Sequence, residues 1–90
     1  MKLTDEQIDR IAELAGALTP PSEIAALMDL DEDALLMELA LPGSPAGKAF
    51  RKAKAETALD IRRREIEFAR MGAPAAVQSA AAYLAGMNLD

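Results

Sequence analysis

Proline sets the lengths into which this chain can fold. Pro20-Pro21, Pro42, Pro45 and Pro74 cut 90 residues into short segments and one long one. Proline lacks an amide proton and has a fixed φ, so it breaks a helix interior but suits a first helical turn. Between the breaks the chain is rich in Ala and Leu, which favour helix, while Val occurs once. An all-α fold of five helices is therefore predicted. With two Phe, one Tyr and no Trp, the core must be thin, built of helices packed closely through Ala.

Local signals place the helix ends. Thr4 and Gln7 have capping-box spacing, and Leu3 and Ile8 are placed for a hydrophobic staple. Ile8, Ile11, Ala12, Ala15 and Leu18 then form one apolar stripe, weakened at Gly16 and stopped by Thr19-Pro20-Pro21. Thr19 is the expected cap of a second helix running to about Met28. Asp31 is the expected cap of a third, running to about Ala40. Pro42-Gly43 breaks the chain, and Ser44-Pro45 restarts it with a cap residue and a first-position proline. A long fourth helix follows to about Met71. Gly72 ends it, and Ala73-Pro74 opens a fifth that reaches Leu84 or Ala85, with Gly86 as its stop. Met87 to Asp90 are expected to fray. The division expected is a tri-helical unit over 1–42 and a helical hairpin over 43–90.

Within the first unit, Glu23 to Leu39 have helix-turn-helix spacing. Ile24-Ala25 opens the motif, Leu27 and Leu30 bracket a turn at Asp29, and Leu35 and Leu39 follow. Asp29 occupies the left-handed turn position where glycine is common, a conformation Asp tolerates better than most residues. The charge is at odds with the spacing. The helix that would enter a DNA groove begins Asp31-Glu32-Asp33, which phosphate repels. Its outward positions, Asp33, Leu36, Met37 and Glu38, include none of the Arg, Lys, Asn or Gln that read base edges best. The three acids have a structural role instead, at the positive end of the helix dipole. Leu36 and Met37 are either a protein contact or core against the fourth helix.

The fourth helix carries two apolar stripes. Phe50, Ala53, Thr57, Ile61 and Phe68 fall on one face, and Leu59 and Ile66 nearly opposite. Both must be buried. One stripe can pack on the first three helices. The other needs the fifth helix or a second subunit, and with so few large residues elsewhere Leu59 and Ile66 are the expected oligomerisation residues. Lys48, Lys52, Arg63 and Arg70 cluster on the same wheel, with Arg51, Lys54, Arg62 and Arg64 adding to them. Such a helix can hold phosphate backbone without reading sequence. The interleaved Glu56, Asp60, Glu65 and Glu67 also fit an ordinary salt-bridged surface, as in the Arg63–Glu67 spacing.

Charge divides along the chain within a net −5. Residues 1–42 hold two bases against ten acids, a net −8, and residues 43–90 hold eight bases against five acids, a net +3. Such halves suit a partner-binding or self-assembling module, or simply differ in their solvated faces. With no Cys and no His, disulfides, thiol catalysis, zinc-finger sites and His-based proton transfer are excluded. The serines Ser22, Ser44 and Ser79 have no His to activate them. No carboxylate spacing matches a metal loop, and no Gly-rich phosphate loop is present. A non-enzymatic protein without metal or cofactor is expected. No signal-peptide run opens the sequence, and no stretch nears the ~18 apolar residues of a membrane span. A soluble cytoplasmic protein is expected.

The arrangement resembles the small terminase subunits of tailed bacteriophages and prophages. The residues that carry the likeness are Ile24-Ala25 through Leu35, then Ser44-Pro45, Ala49-Phe50 and Lys52, then Ile61-Arg62-Arg63 and Ile66. Ala69-Arg70-Met71-Gly72 with Ala75-Ala76 completes it, as a helix break before the last helix. The likeness spans nearly the whole chain, in short Ala-rich pieces. It departs from the family at Asp29, where the motif turn has Gly, and in the acidic third helix. The resemblance implies a helix-turn-helix-like domain joined to a hairpin that assembles subunits, recognition of viral DNA, regulation of a large terminase subunit, and a place in the bacterial host cytoplasm. DNA contact would then run through Lys48, Arg51, Lys52, Arg62, Arg63 and Arg64. The alternatives are an acidic protein–protein adaptor that binds no DNA, and a helix-turn-helix transcription regulator acting as a dimer on a palindromic site.

Overall fold

A computed structural model describes residues 1–87 of the chain. It has five helices: α1 (Asp5–Gly16), α2 (Pro21–Leu27), α3 (Glu32–Ala40), α4 (Pro45–Arg70) and α5 (Pro74–Gly86). No strand occurs among the described residues, so the chain is all-α. It divides into two compact units, Met1–Thr57 and a second from Ala58 onward. The division falls inside α4. Pro42-Gly43 is a turn within the first unit, because the opening turns of α4 pack on the α1–α3 core.

That core consists of Ile11 and Leu14 from α1, Ile24 and Ala25 from α2, Leu35 and Leu39 from α3, and Ala46 from α4. Leu3, Ile8, Met28, Leu30 and Phe50 pack around it, half-buried. The Thr4 hydroxyl accepts from the Gln7 amide at 3.1 Å, and the Gln7 side chain accepts from the Thr4 amide at 2.8 Å. Asp31 accepts from the Ala34 amide at 2.9 Å and so caps α3. The buried Ser44 hydroxyl accepts from the Gly47 amide at 3.1 Å and starts α4.

Three helices end on a residue in the left-handed conformation: Leu18 (φ 59), Asp29 (φ 54) and Gly72 (φ 88). In each case the next amide reaches back to a carbonyl five residues earlier: Thr19 to Leu14 at 3.0 Å, Leu30 to Ala25 at 2.9 Å, and Ala73 to Phe68 at 3.2 Å. These are Schellman closures, which satisfy carbonyls the helix leaves open. The expected left-handed turn at Asp29 is present.

Leu18 departs from expectation. It lies beyond the end of α1, half-exposed, and Leu14 takes its place in the buried stripe. Thr19 does not cap α2. It belongs to the closure of α1, and Pro20 is the cap residue, with no side-chain bond to the helix. Gly86 is the last residue of α5, one past the expected Leu84 or Ala85. Of the segment expected to fray, Met87 is the C-cap of α5, and residues 88–90 lie outside the described residues.

Gly47 brings α4 against the end of α3. A Cβ at this position would sit 2.6 Å from the Leu39 carbonyl oxygen and 3.3 Å from its carbon. Both are backbone atoms and cannot swing away. Gly47→Ala should therefore lower the unfolding free energy by about 1–3 kcal/mol, despite alanine's better helix propensity. Thermal denaturation checks this; an unchanged or raised midpoint contradicts it.

Candidate assembly and nucleic-acid surfaces

The three large side chains wholly withdrawn from water, Ile11, Ile24 and Leu35, all lie in the first unit. In the second, Ala76 is the buried residue among those described. Its α4 segment exposes Ile61 and Phe68 (56% exposed), and Met71 (81%) follows the helix end. Its α5 exposes Val77 and Leu84 (72%), with Met87 at the C-cap. Phe50, Ala53 and Thr57 of the first stripe are half-buried in the first unit, while Ile61 and Phe68 of the same stripe are open to water.

Leu59 and Ile66 line a groove of about 710 Å³ between the second half of α4 and α5. Arg62 and Arg63 line it as well, with Ala80, Tyr83 and Leu84 of α5 and its C-cap Met87. Candidate oligomerisation residues and candidate DNA-binding residues thus meet in one feature. The fifth helix was one of the two covers expected for Leu59 and Ile66, but which of its residues face them was not read from the sequence, although Ala76, Ala80, Tyr83 and Met87 have helical spacing. Among so many alanines the pattern has little contrast.

The remaining basic candidates have different surroundings. Arg51 donates from Nη1 to the Leu39 carbonyl at 3.1 Å, closing the end of α3. Arg64 pairs with Asp60 at 3.4 Å, one turn back on the same helix. Both of those side chains are mostly exposed, so the pair contributes on the order of 0–1 kcal/mol. Asp60–Arg64, rather than Arg63–Glu67, is thus the ion pair on this helix among the described residues. Lys48 and Lys52 are exposed in the first unit. The six candidates therefore comprise two exposed lysines, a helix-capping arginine, an ion-paired arginine and two groove arginines.

On α3 the side away from the core carries Glu32, Asp33, Leu36, Met37 and Ala40, all exposed. Leu36 and Met37 are thus not core against α4. Among the described residues no cluster of three or more carboxylates is placed to hold a metal ion. Ser44 is a buried helix cap, and Ser79 donates to the Ala75 carbonyl at 3.2 Å within its own helix. No helix among the described residues is long and apolar enough to cross a membrane. No family model, curated protein or solved structure matches the chain.

Since Arg51 closes α3 while Lys48 and Lys52 extend into water, the three should separate in chemical denaturation. Arg51→Ala should cost about 1 kcal/mol, and Lys48→Ala or Lys52→Ala less than ~0.5 kcal/mol. Equal effects would contradict the assignment of Arg51.

Proposed function

We propose that this protein is a non-enzymatic, self-assembling component of a small-terminase-like DNA-packaging apparatus. The observation that supports self-assembly is the uncovered apolar surface of the second unit. Among its described residues only Ala76 is buried, so a second chain laid over that apolar surface is the cover its residues favour. Covering Ile61, Phe68, Met71 and Leu84 would contribute on the order of 1–2 kcal/mol each.

In this reading the first unit is the helix-turn-helix-like part, with α2 and α3 joined through the left-handed turn at Asp29. DNA is held by its phosphates, through the exposed Lys48 and Lys52 of α4. Assembly multiplies that weak contact. The large terminase subunit would be the partner that assembly recruits. A second reading, a protein adaptor, is favoured by one observation: Leu36 and Met37 stand exposed beside Glu32 and Asp33 on α3.

Two measurements test the proposal. Light scattering of the intact protein should give a mass of several subunits. Duplex DNA binding should be detectable at low salt and fall steeply as salt rises. Lys48→Ala/Lys52→Ala should weaken binding on any sequence and reduce the log–log salt slope by roughly 2. A monomer at every concentration rules out the assembly. Undetectable DNA affinity at low salt rules out packaging and leaves the adaptor.

A further inference from the structure

We propose that the groove between the second half of α4 and α5 receives the exposed face of α3 from a second copy of this chain. The inference rests on the self-assembly reading above and names its contact.

The two surfaces are complementary in charge and in apolar character. On α3, Glu32, Asp33, Leu36, Met37 and Ala40 have the i, i+3, i+4 spacing of one helical face, and all five are exposed while Leu35 and Leu39 are buried beneath them. The groove presents Arg62 and Arg63 between Leu59 and Ile66, with Tyr83, Leu84 and Met87 across from them. An amphipathic helix laid in an apolar groove is a recurrent mode of recognition. Here Leu36 and Met37 are the apolar anchors, and Glu32 and Asp33 meet the two arginines. The dimensions also agree. The nine residues of α3 span roughly 13 Å, and Leu59 to Ile66 span about 10 Å along α4.

Two further observations fit. The groove is lined by two arginines and no carboxylate, while residues 1–42 hold ten acids against two bases, so α3 of one copy is attracted to the groove of another. Asp31 already caps α3, and among the described residues neither Glu32 nor Asp33 forms an ion pair. Because the two surfaces differ, the contact is head-to-tail. Every copy offers one of each, and the assembly closes into a ring or extends as a filament. It weakens with salt, as contacts between exposed charges do.

Charge exchange in the full chain tests this. The variants are Arg62→Glu/Arg63→Glu and Glu32→Lys/Asp33→Lys, each checked for helical content by circular dichroism, with light-scattering mass as the readout. Each variant alone should be monomeric at concentrations where the unmodified protein is assembled. An equimolar mixture should recover the assembled mass, because the acidic groove of one variant then fits the basic α3 of the other. Should a reversed variant lose its helicity, the neutral pairs Arg62→Gln/Arg63→Gln and Glu32→Gln/Asp33→Asn replace it, and each should reduce the assembled fraction at a given concentration. If both variants keep the unmodified mass, or the mixture stays monomeric, the α3–groove contact is wrong while self-assembly stands. If the unmodified protein is itself monomeric throughout, self-assembly falls with it.

Discussion

Ile11, Ile24 and Leu35 come from α1, α2 and α3, and their contact shuts water out of the one well-formed core among the described residues. The first unit is built around that contact. α1 enters with a capping box, and Leu3 and Ile8 on either side of it pack against the core. α2 is closed by the left-handed turn at Asp29, and the end of α3 is closed by Arg51 of α4. On α4 the buried residues are Ala46 and Gly47, both in its opening turns. The uneven distribution of burial along one continuous helix leaves the apolar side chains of its second half open to water.

α4 also completes helices it does not belong to. Neither α1 nor α3 has a basic residue in its last turn to answer the exposed carbonyls. α4 supplies the donors. Thr57 Oγ1 donates to the Gly16 carbonyl at 2.6 Å, and Arg51 Nη1 to the Leu39 carbonyl at 3.1 Å. Gly47 permits the second contact by letting the backbones approach. The first three turns of α4 thus act as a strap across the helix ends of the first unit. Part of the positive charge of α4 is consumed by that role and is not available to a ligand.

Much of this was legible in the residues. Thr4 with Gln7, Asp31, and Ser44 with Pro45 each announce a helix start by local chemistry, and each start is where it was expected. Asp29 announced a left-handed turn because its neighbours on both sides are apolar at helical spacing. Leu18 gave no such warning. A branched apolar side chain resists φ > 0, so its place in the α1 stripe was the natural reading, which the closure of α1 by the Leu18 and Thr19 amides overrides. Gly47 looked like an ordinary small residue in an Ala-rich run, and only the path of α3 reveals why it must lack a side chain. The division of the basic residues was hidden for the same reason. A helical wheel shows which residues share a face, but not that Arg51 reaches a carbonyl on α3, or that Arg62 and Arg63 turn toward α5.

The second unit sets the functional reading, since it combines two exposed apolar faces with a basic groove and holds one buried alanine among its described residues. Its helices are expected to be marginal alone and firm when covered. Amide hydrogen exchange at residue resolution, across a dilution series, tests that dependence most directly. Protection in α5 should fall as the protein is diluted, while protection at Ile11, Ile24 and Leu35 should stay constant. If α5 keeps the same protection at every concentration while the protein is monomeric, the second unit is self-sufficient and the dependence on a second copy is wrong.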